Sequence, residues 1–230
     1  MLQQPVELDA ALKKSASDTI VQGENLRAKV RDLTLRALHG RELSLAEIKQ
    51  VLKSVTEGVN AGAAEAGIDV ERPLADAFSG MNDALLQVVR ASQVALEQLL
   101  DHGANFQDAR IVKAMSDLDS LEGEFLNIVM QSAESASKQV RAQWAGVFAH
   151  WPAGGTRAGA QAEAVAAKFA EEARTSLSRP RNGAVNSTHV LAQNYGTLAS
   201  GILIGLSEGL RGEGAQAKAA RARNRKGARA

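Results

Sequence analysis

The sequence predicts an all-α protein: an elongated antiparallel helical bundle or set of helical hairpins, built from long amphipathic helices and ending in a disordered basic tail. Three observations carry that prediction. The apolar residues are mostly Ala, Leu and Val, with aromatics at 3% of 230 residues, and such small side chains fill narrow helix interfaces better than thick sheet cores. Proline occurs 4 times, and long runs of Ala, Glu, Lys, Arg and Gln favour helix. Apolar positions recur at steps of three and four, while no stretch shows sustained period-two alternation of β-branched and aromatic residues.

Each element follows from a local start or stop. A first helix over 6–39, with Gly23 placed to kink it, stops at Gly40, where a glycine takes left-handed backbone without a Cβ penalty. Ser44 with Glu47 makes a capping-box pattern that starts a second helix over 45–66. Its seam is Leu45, Ile48, Leu52, Val55 and Val59, and Gly67 ends it. Pro73 opens a third helix over 73–102, because a proline in the first turn forfeits no intrahelical bond; Leu74, Phe78, Met81, Leu85, Val88 and Leu99 form its seam. Gly103, then Asn105 with Asp108, mark the passage to a fourth helix over 106–150. Its stripe runs from Ile111 through Leu118, Phe125 and Ile128 to Val140 and Trp144, and unbroken it would span about 65 Å at 1.5 Å per residue. Trp151-Pro152-Ala153-Gly154-Gly155-Thr156 and Ser178-Arg179-Pro180-Arg181-Asn182-Gly183 break the chain, setting off helices over 157–177 and 184–211. Short connections favour antiparallel neighbours among the first four. The organisation expected is therefore a bundle of about four helices in 1–150, two further amphipathic helices in 151–212 that can pack on it, and a basic tail in 213–230.

Charge is unevenly spread. The chain carries 27 basic and 26 acidic side chains, of which residues 211–230 hold seven and one. Set among Ala and Gly, Arg221, Arg223, Arg225, Lys226 and Arg229 cannot build a core, and they read either as a solubilising tail or as a weak, nonspecific polyanion contact whose affinity for nucleic acid would fall with salt. No aromatic residue accompanies them for base stacking. The start of the chain lacks a basic region followed by an apolar one, so a cytoplasmic location is expected, with attachment to a granule or membrane surface as a refinement of it.

No catalytic constellation emerges, and the chain is expected not to be an enzyme and to need no cofactor. Cysteine is absent, which removes disulfides and thiolate metal sites. The four histidines, His39, His102, His150 and His189, have neither the i,i+4 spacing of a helical zinc pair nor an acidic residue three positions before them. Three of them fall at helix ends, where a protonated ring complements the helix dipole. Neither a Gly-x-Ser-x-Gly elbow nor a Gly-Lys-Ser/Thr phosphate loop is present. The carboxylate clusters Asp117-Asp119-Glu122-Glu124 and Glu171-Glu172 read as solvated helix faces. No small-molecule substrate is indicated.

Two stretches stand out as contact surfaces. Gly201, Gly205 and Gly209 form a ridge at four-residue spacing, beside a second ridge of Leu198, Ile202, Leu206 and Leu210. Each glycine costs a water-exposed helix about 1 kcal/mol relative to Ala, so the ridge calls for close backbone approach. The stretch from Asn182 to Ser207 has no Asp, Glu, Lys or Arg, and it can pack on protein, lie on an apolar or lipid surface, or span a membrane at the short limit of length. Trp144, Phe148 and Trp151 share a second face, suited to a core or to a boundary between apolar and wet surroundings. Long seams of this kind are readily shared between copies, so self-association is expected.

Four segments, Leu45-Ala-Glu-Ile-Lys-Gln-Val-Leu, Val55-Thr-Glu-Gly-Val-Asn-Ala-Gly, Leu118-Asp-Ser-Leu-Glu-Gly-Glu-Phe-Leu and Leu198-Ala-Ser-Gly-Ile-Leu-Ile-Gly-Leu, resemble a family of bacterial all-helical proteins of unknown function. The resemblance covers most of residues 30–212, and it implies a fold without transferring an activity. In composition, the Ala-rich amphipathic second half with its basic tail is similar to phasins, which coat polyhydroxyalkanoate granules through amphipathic helices. That similarity implies a coat on a granule, lipid or other apolar surface; the alternative is a nucleic-acid-associated or scaffolding oligomer that uses the tail.

Overall fold

A computed structural model of the chain describes residues 4–39, 44–67, 69–101, 106–150 and 155–178. Seven helices occur among them, and no strand: α1 (Gln4–Gln22), α2 (Leu26–Leu38), α3 (Leu45–Ala66), α4 (Glu71–Asp101), α5 (Ala109–Ser135), α6 (Lys138–Ala149) and α7 (Arg157–Ser178). The all-α expectation stands, and so do several of its boundaries. Ser44 caps α3 by accepting a hydrogen bond from the Glu47 N–H, Gly67 closes that helix with φ of 91°, and Pro73 lies in the first turn of α4.

Two expected helices are each divided. The stretch 6–39 is no kinked rod: Gly23 at φ 71° and Asn25 at φ 50° take left-handed backbone between α1 and α2, a conformation glycine and asparagine reach at the lowest cost. The direction of reversal follows from α3. Asp9 meets Gln50, Lys13 meets Glu57, and the Ser17 and Ile20 positions lie against Gly62, so α1 ascends alongside α3 in the same direction. Residues 39–44 must then lead from the end of α2 to the start of α3, and so few residues cannot travel back along a helix about 33 Å long. α2 therefore descends, and α1 and α2 form a helical hairpin.

The stretch 106–150 also breaks, into α5 and α6. Ser137 caps α6 by accepting from the Val140 N–H, and the Ala136 N–H turns back to the Ala133 carbonyl at 3.2 Å. Serine side chains compete with the helix for backbone groups, and here they end one helix and begin another. The single 65 Å rod is accordingly not formed.

The architecture is a stack of three hairpins with alternating direction. α1 packs on α3 and α2 on α4; on the other side α5 packs on α3 and α7 on both α4 and α5. Pairings fix the directions: Lys49 with Glu124 and Asn60 with Ser132 run α5 parallel to α3, while Asp83 with Arg157 and Glu97 with Lys168 run α7 parallel to α4. From α1 to α5 each helix is thus antiparallel to the one before it, and α7 is antiparallel to α5. The central hairpin α3/α4 is covered on both sides, which is why buried positions nearly encircle it, with Val51, Val55, Val59, Leu74, Ala77, Met81 and Val89 fully enclosed. α6 closes one end of the stack against α3, α4 and α5.

Candidate interaction surfaces

The aromatic face expected at Trp144, Phe148 and Trp151 resolves into a core feature where it is described. Trp144 is completely buried. Its Nε1–H donates to Asn60 Oδ1 at 2.7 Å, and Asn60 Nδ2 donates in turn to the Ser132 carbonyl at 2.8 Å. Ser132 lies in the last turn of α5, where helix carbonyls lose their intrahelical partners. Asn60 therefore ties the α5–α6 break to the tryptophan, and burial of the indole is possible because its one donor is satisfied. Phe148 stacks on Trp144 with centroids 5.5 Å apart and is half-buried. Trp151 lies outside the described residues, as do Gly201, Gly205, Gly209 and the tail residues Arg221, Arg223, Arg225, Lys226 and Arg229.

Close backbone approach, the physics invoked for those three glycines, is made elsewhere, at a pair the sequence reading had not singled out. A Cβ on Gly58 would fall on the Lys13 carbonyl oxygen and within 2.7 Å of Ala16 Cβ, and one on Gly62 would lie 2.5 Å from the Ser17 carbonyl oxygen. Gly80 meets the Arg27 carbonyl of α2 in the same way. Gly58 and Gly62, at four-residue spacing on one ridge, let α1 lie directly on the backbone of α3. Their spacing was the available signal.

Polar side chains anchor the third hairpin. At the N-terminus of α7 the Thr156 hydroxyl accepts from the Gly159 N–H at 2.7 Å, Asn82 Oδ1 accepts from the Ala158 N–H at 3.2 Å, and the Glu122 carboxylate accepts from the Thr156 N–H. Three otherwise orphaned donors are met by one residue from each of three helices or caps, and the negative carboxylate suits the positive end of the helix dipole. Beside this cap, Asp83 receives Arg27 Nε at 2.6 Å and the Arg157 guanidinium, joining α2, α4 and α7; the hydrogen bond to Asp83 raises the Arg27 pKa further. Lower on α7, Lys168 pairs with Glu97 at 2.7 Å, and that bond, with a second from Gln93, holds the Glu97 carboxyl below its usual range.

These contacts correct the reading of the acidic cluster as a solvated face. Asp117 pairs with Lys113 at 2.7 Å and lies 3.5 Å from the Leu45 N–H, Glu124 pairs with Lys49, and Glu122 caps α7; Asp119 is exposed. Asp117, Glu122 and Glu124 reach the start of α3, the start of α7 and Lys49 because α5 packs on both α3 and α7. Among the described residues no three His, Asp or Glu side chains are grouped as a metal site, and no described helix is long and apolar enough to cross a membrane. His150 Nδ1 contacts the Gly146 carbonyl at 2.8 Å, the helix-end role expected of it.

No curated protein and no solved structure matches the chain. A family model does match: over residues 2–212 the chain belongs to DUF6781, a family of unknown function.

Proposed function

We propose that this member of DUF6781 is a non-enzymatic helical interaction protein that coats an apolar surface, of a granule or of lipid, in the manner of the phasins its second half resembles. One observation carries the reading: from Asn182 to Ser207 the chain has no Asp, Glu, Lys or Arg, and within that stretch and just beyond it Leu198, Ile202, Leu206 and Leu210 recur on one helical ridge. The bundle supports it indirectly. Most apolar side chains of α1 to α7 are buried in their common core, Trp144 among them, and the large ones left exposed, Leu8, Val21, Val94, Val112 and Met130, are scattered over α1, α4 and α5, so the surface contact is assigned to residues 184–211. A helix of low charge lies on an apolar surface by burying one ridge, with a binding energy that scales with the area buried.

Flotation of the purified full chain with neutral-lipid droplets and with polyhydroxyalkanoate beads tests this directly. The parent should float with the particles, and Ile202→Asp combined with Leu206→Asp should stay in solution with its bundle intact by circular dichroism. Absence of binding by the parent, or equal binding by the double variant, rejects the coat.

The charge of residues 211–230 favours a second reading, contact with nucleic acid. Replacing Arg221, Arg223, Arg225, Lys226 and Arg229 by Gln should then abolish DNA binding, and in the parent that binding should weaken steeply between low and physiological salt. Binding that is indifferent to salt or to these substitutions rules out the tail as its source.

A further inference from the structure

We propose that α6 and α7 form an exchangeable unit: two copies of this chain swap their 138–178 segments about a hinge at Ala136 and Ser137, where α5 and α6 then join into one helix. The partner is a second copy, and the proposal stands apart from the coat reading because no surface takes part in it.

The hinge is the first support. From Glu124 to Ala145 the chain has no glycine and no proline, whereas the reversal between α1 and α2 is made by left-handed backbone at Gly23 and Asn25. Ser137 already has a helical φ of −56°, and it is its ψ of 153° that departs from helix. Ile111, Val129 and Val147 are all buried and follow one another at about five whole turns of 3.6 residues, so an unbroken helix would keep its apolar stripe. What the hinge itself sets against continuity is chiefly a cap, the Ser137 hydroxyl accepting from the Val140 N–H.

The second support is what holds the break from a distance. Trp144 donates to Asn60, Gln139 donates to the Gly67 carbonyl at 3.2 Å, the Ala158 N–H donates to Asn82 at 3.2 Å, and Lys168 pairs with Glu97 at 2.7 Å. Each of these contacts joins 138–178 to the rest of the chain and none runs through the hinge, so a second copy can supply the same partners. A swapped pair repeats them all.

Reach decides that α7 must travel with α6. On an unbroken helix His150 would stand about 42 Å beyond Glu122 at 1.5 Å per residue, whereas the chain from there to Thr156 extends about 22 Å at most. Thr156 then cannot keep its bond to the Glu122 of its own chain. In a single straightened chain the buried side of α7, with Ala158, Ala162, Val165 and Phe169, would lie open to water, and its complement is the face that another copy has vacated in the same way.

Substitutions at one position isolate the hinge. Ser137→Ala and Ser137→Pro both remove the cap, but proline fits the φ seen at 137 and opposes a continuous helix, where it lacks the N–H and clashes with the preceding turn. After the full chain is refolded at high concentration, light scattering should find a dimer. Its formation constant should rise roughly tenfold or more in Ser137→Ala, because the cap is lost from the monomer alone, and should fall below that of the parent in Ser137→Pro. Equal amounts of dimer in the two variants, or no dimer in either, overturn the exchange. Glu71→Cys with Gly146→Cys reports which chain α6 has joined, since the Glu71 carboxyl carbon lies 2.5 Å from where a Cβ on Gly146 would be and no other cysteine competes. Oxidation of the separated fractions should close this bond within one chain in the monomer and between two chains in the dimer. A dimer whose oxidised chains carry the bond internally, and so part on a denaturing gel without reductant, has associated through another face, and that result also overturns the proposal.

Discussion

The two outer hairpins of the stack are held on the central one by different physics. The first, α1/α2, rests on backbone: Gly58, Gly62 and Gly80 bring its helices so close that no Cβ fits between. The third, α5 to α7, rests on interlocking side chains, with Phe125 on Phe78 at 4.8 Å, Trp144 on Asn60 and polar caps at the start of α7. Glycine contacts depend on the absence of atoms and tolerate no addition. Aromatic and polar contacts depend on the presence of atoms and tolerate no loss.

Removing atoms should hurt most on the third side. Trp144→Ala empties a fully buried site and should cost about 3–5 kcal/mol in chemical denaturation. Trp144→Phe keeps much of the volume but leaves Asn60 Oδ1 without its donor, for about 1–3 kcal/mol. Equal, small losses for both would mean that α6 is not part of the cooperative core. Adding atoms should hurt on the first side: Gly58→Ala should cost about 1–3 kcal/mol, although alanine is the better helix former. A stabilised Gly58→Ala would show that α1 and α3 are further apart than described, and the contrast between the hairpins would collapse.

Smaller effects sharpen the comparison. Thr156→Ala removes the side-chain cap of α7 and should cost about 1 kcal/mol, with hydrogen exchange rising first in α7 and leaving α1 and α2 unchanged. Smallest of all is the exposed Glu97–Lys168 pair. Because the folded Glu97 carboxyl ionises below its ordinary value, its contribution is present above the carboxylate range and is lost as pH falls through the folded pKa. Glu97→Gln should therefore slightly lower the melting temperature at neutral pH, should make no difference in strong acid, and should lose even the neutral effect in high salt. A large, salt-resistant effect would mean that the pair is a principal anchor of α7.

How much of this was legible depends on the range of the interaction. Ser44 with Glu47, Pro73 and the seams of α3 and α4 were readable because a cap or a helical face is decided within four residues. The reversal at Gly23 to Asn25 was visible only as a weak point, since the same glycine serves a kink or a turn until α3 offers α1 one surface and α4 offers α2 another. The break at Ser132 to Ser137 went unread: apolar spacing resumes beyond it, and the serines act as caps only when Asn60 and Trp144 arrive from elsewhere. A similar ambiguity hid Gly58 and Gly62 behind the more conspicuous ridge at Gly201, Gly205 and Gly209, because spacing announces close approach without naming the helix that approaches.

By itself, then, the sequence determined an all-helical chain, the ends of α3 and the start of α4, the apolar seams and the basic character of the final residues, all of which follow from propensity, capping and periodicity along a single helix. The tertiary structure alone decided that Trp144 belongs to a core, that Glu122 and Asp83 bind helices together, and that three hairpins stack in alternating directions. Those outcomes are settled by which faces bury one another, and a buried donor or a missing Cβ acquires its meaning only from the helix across the interface.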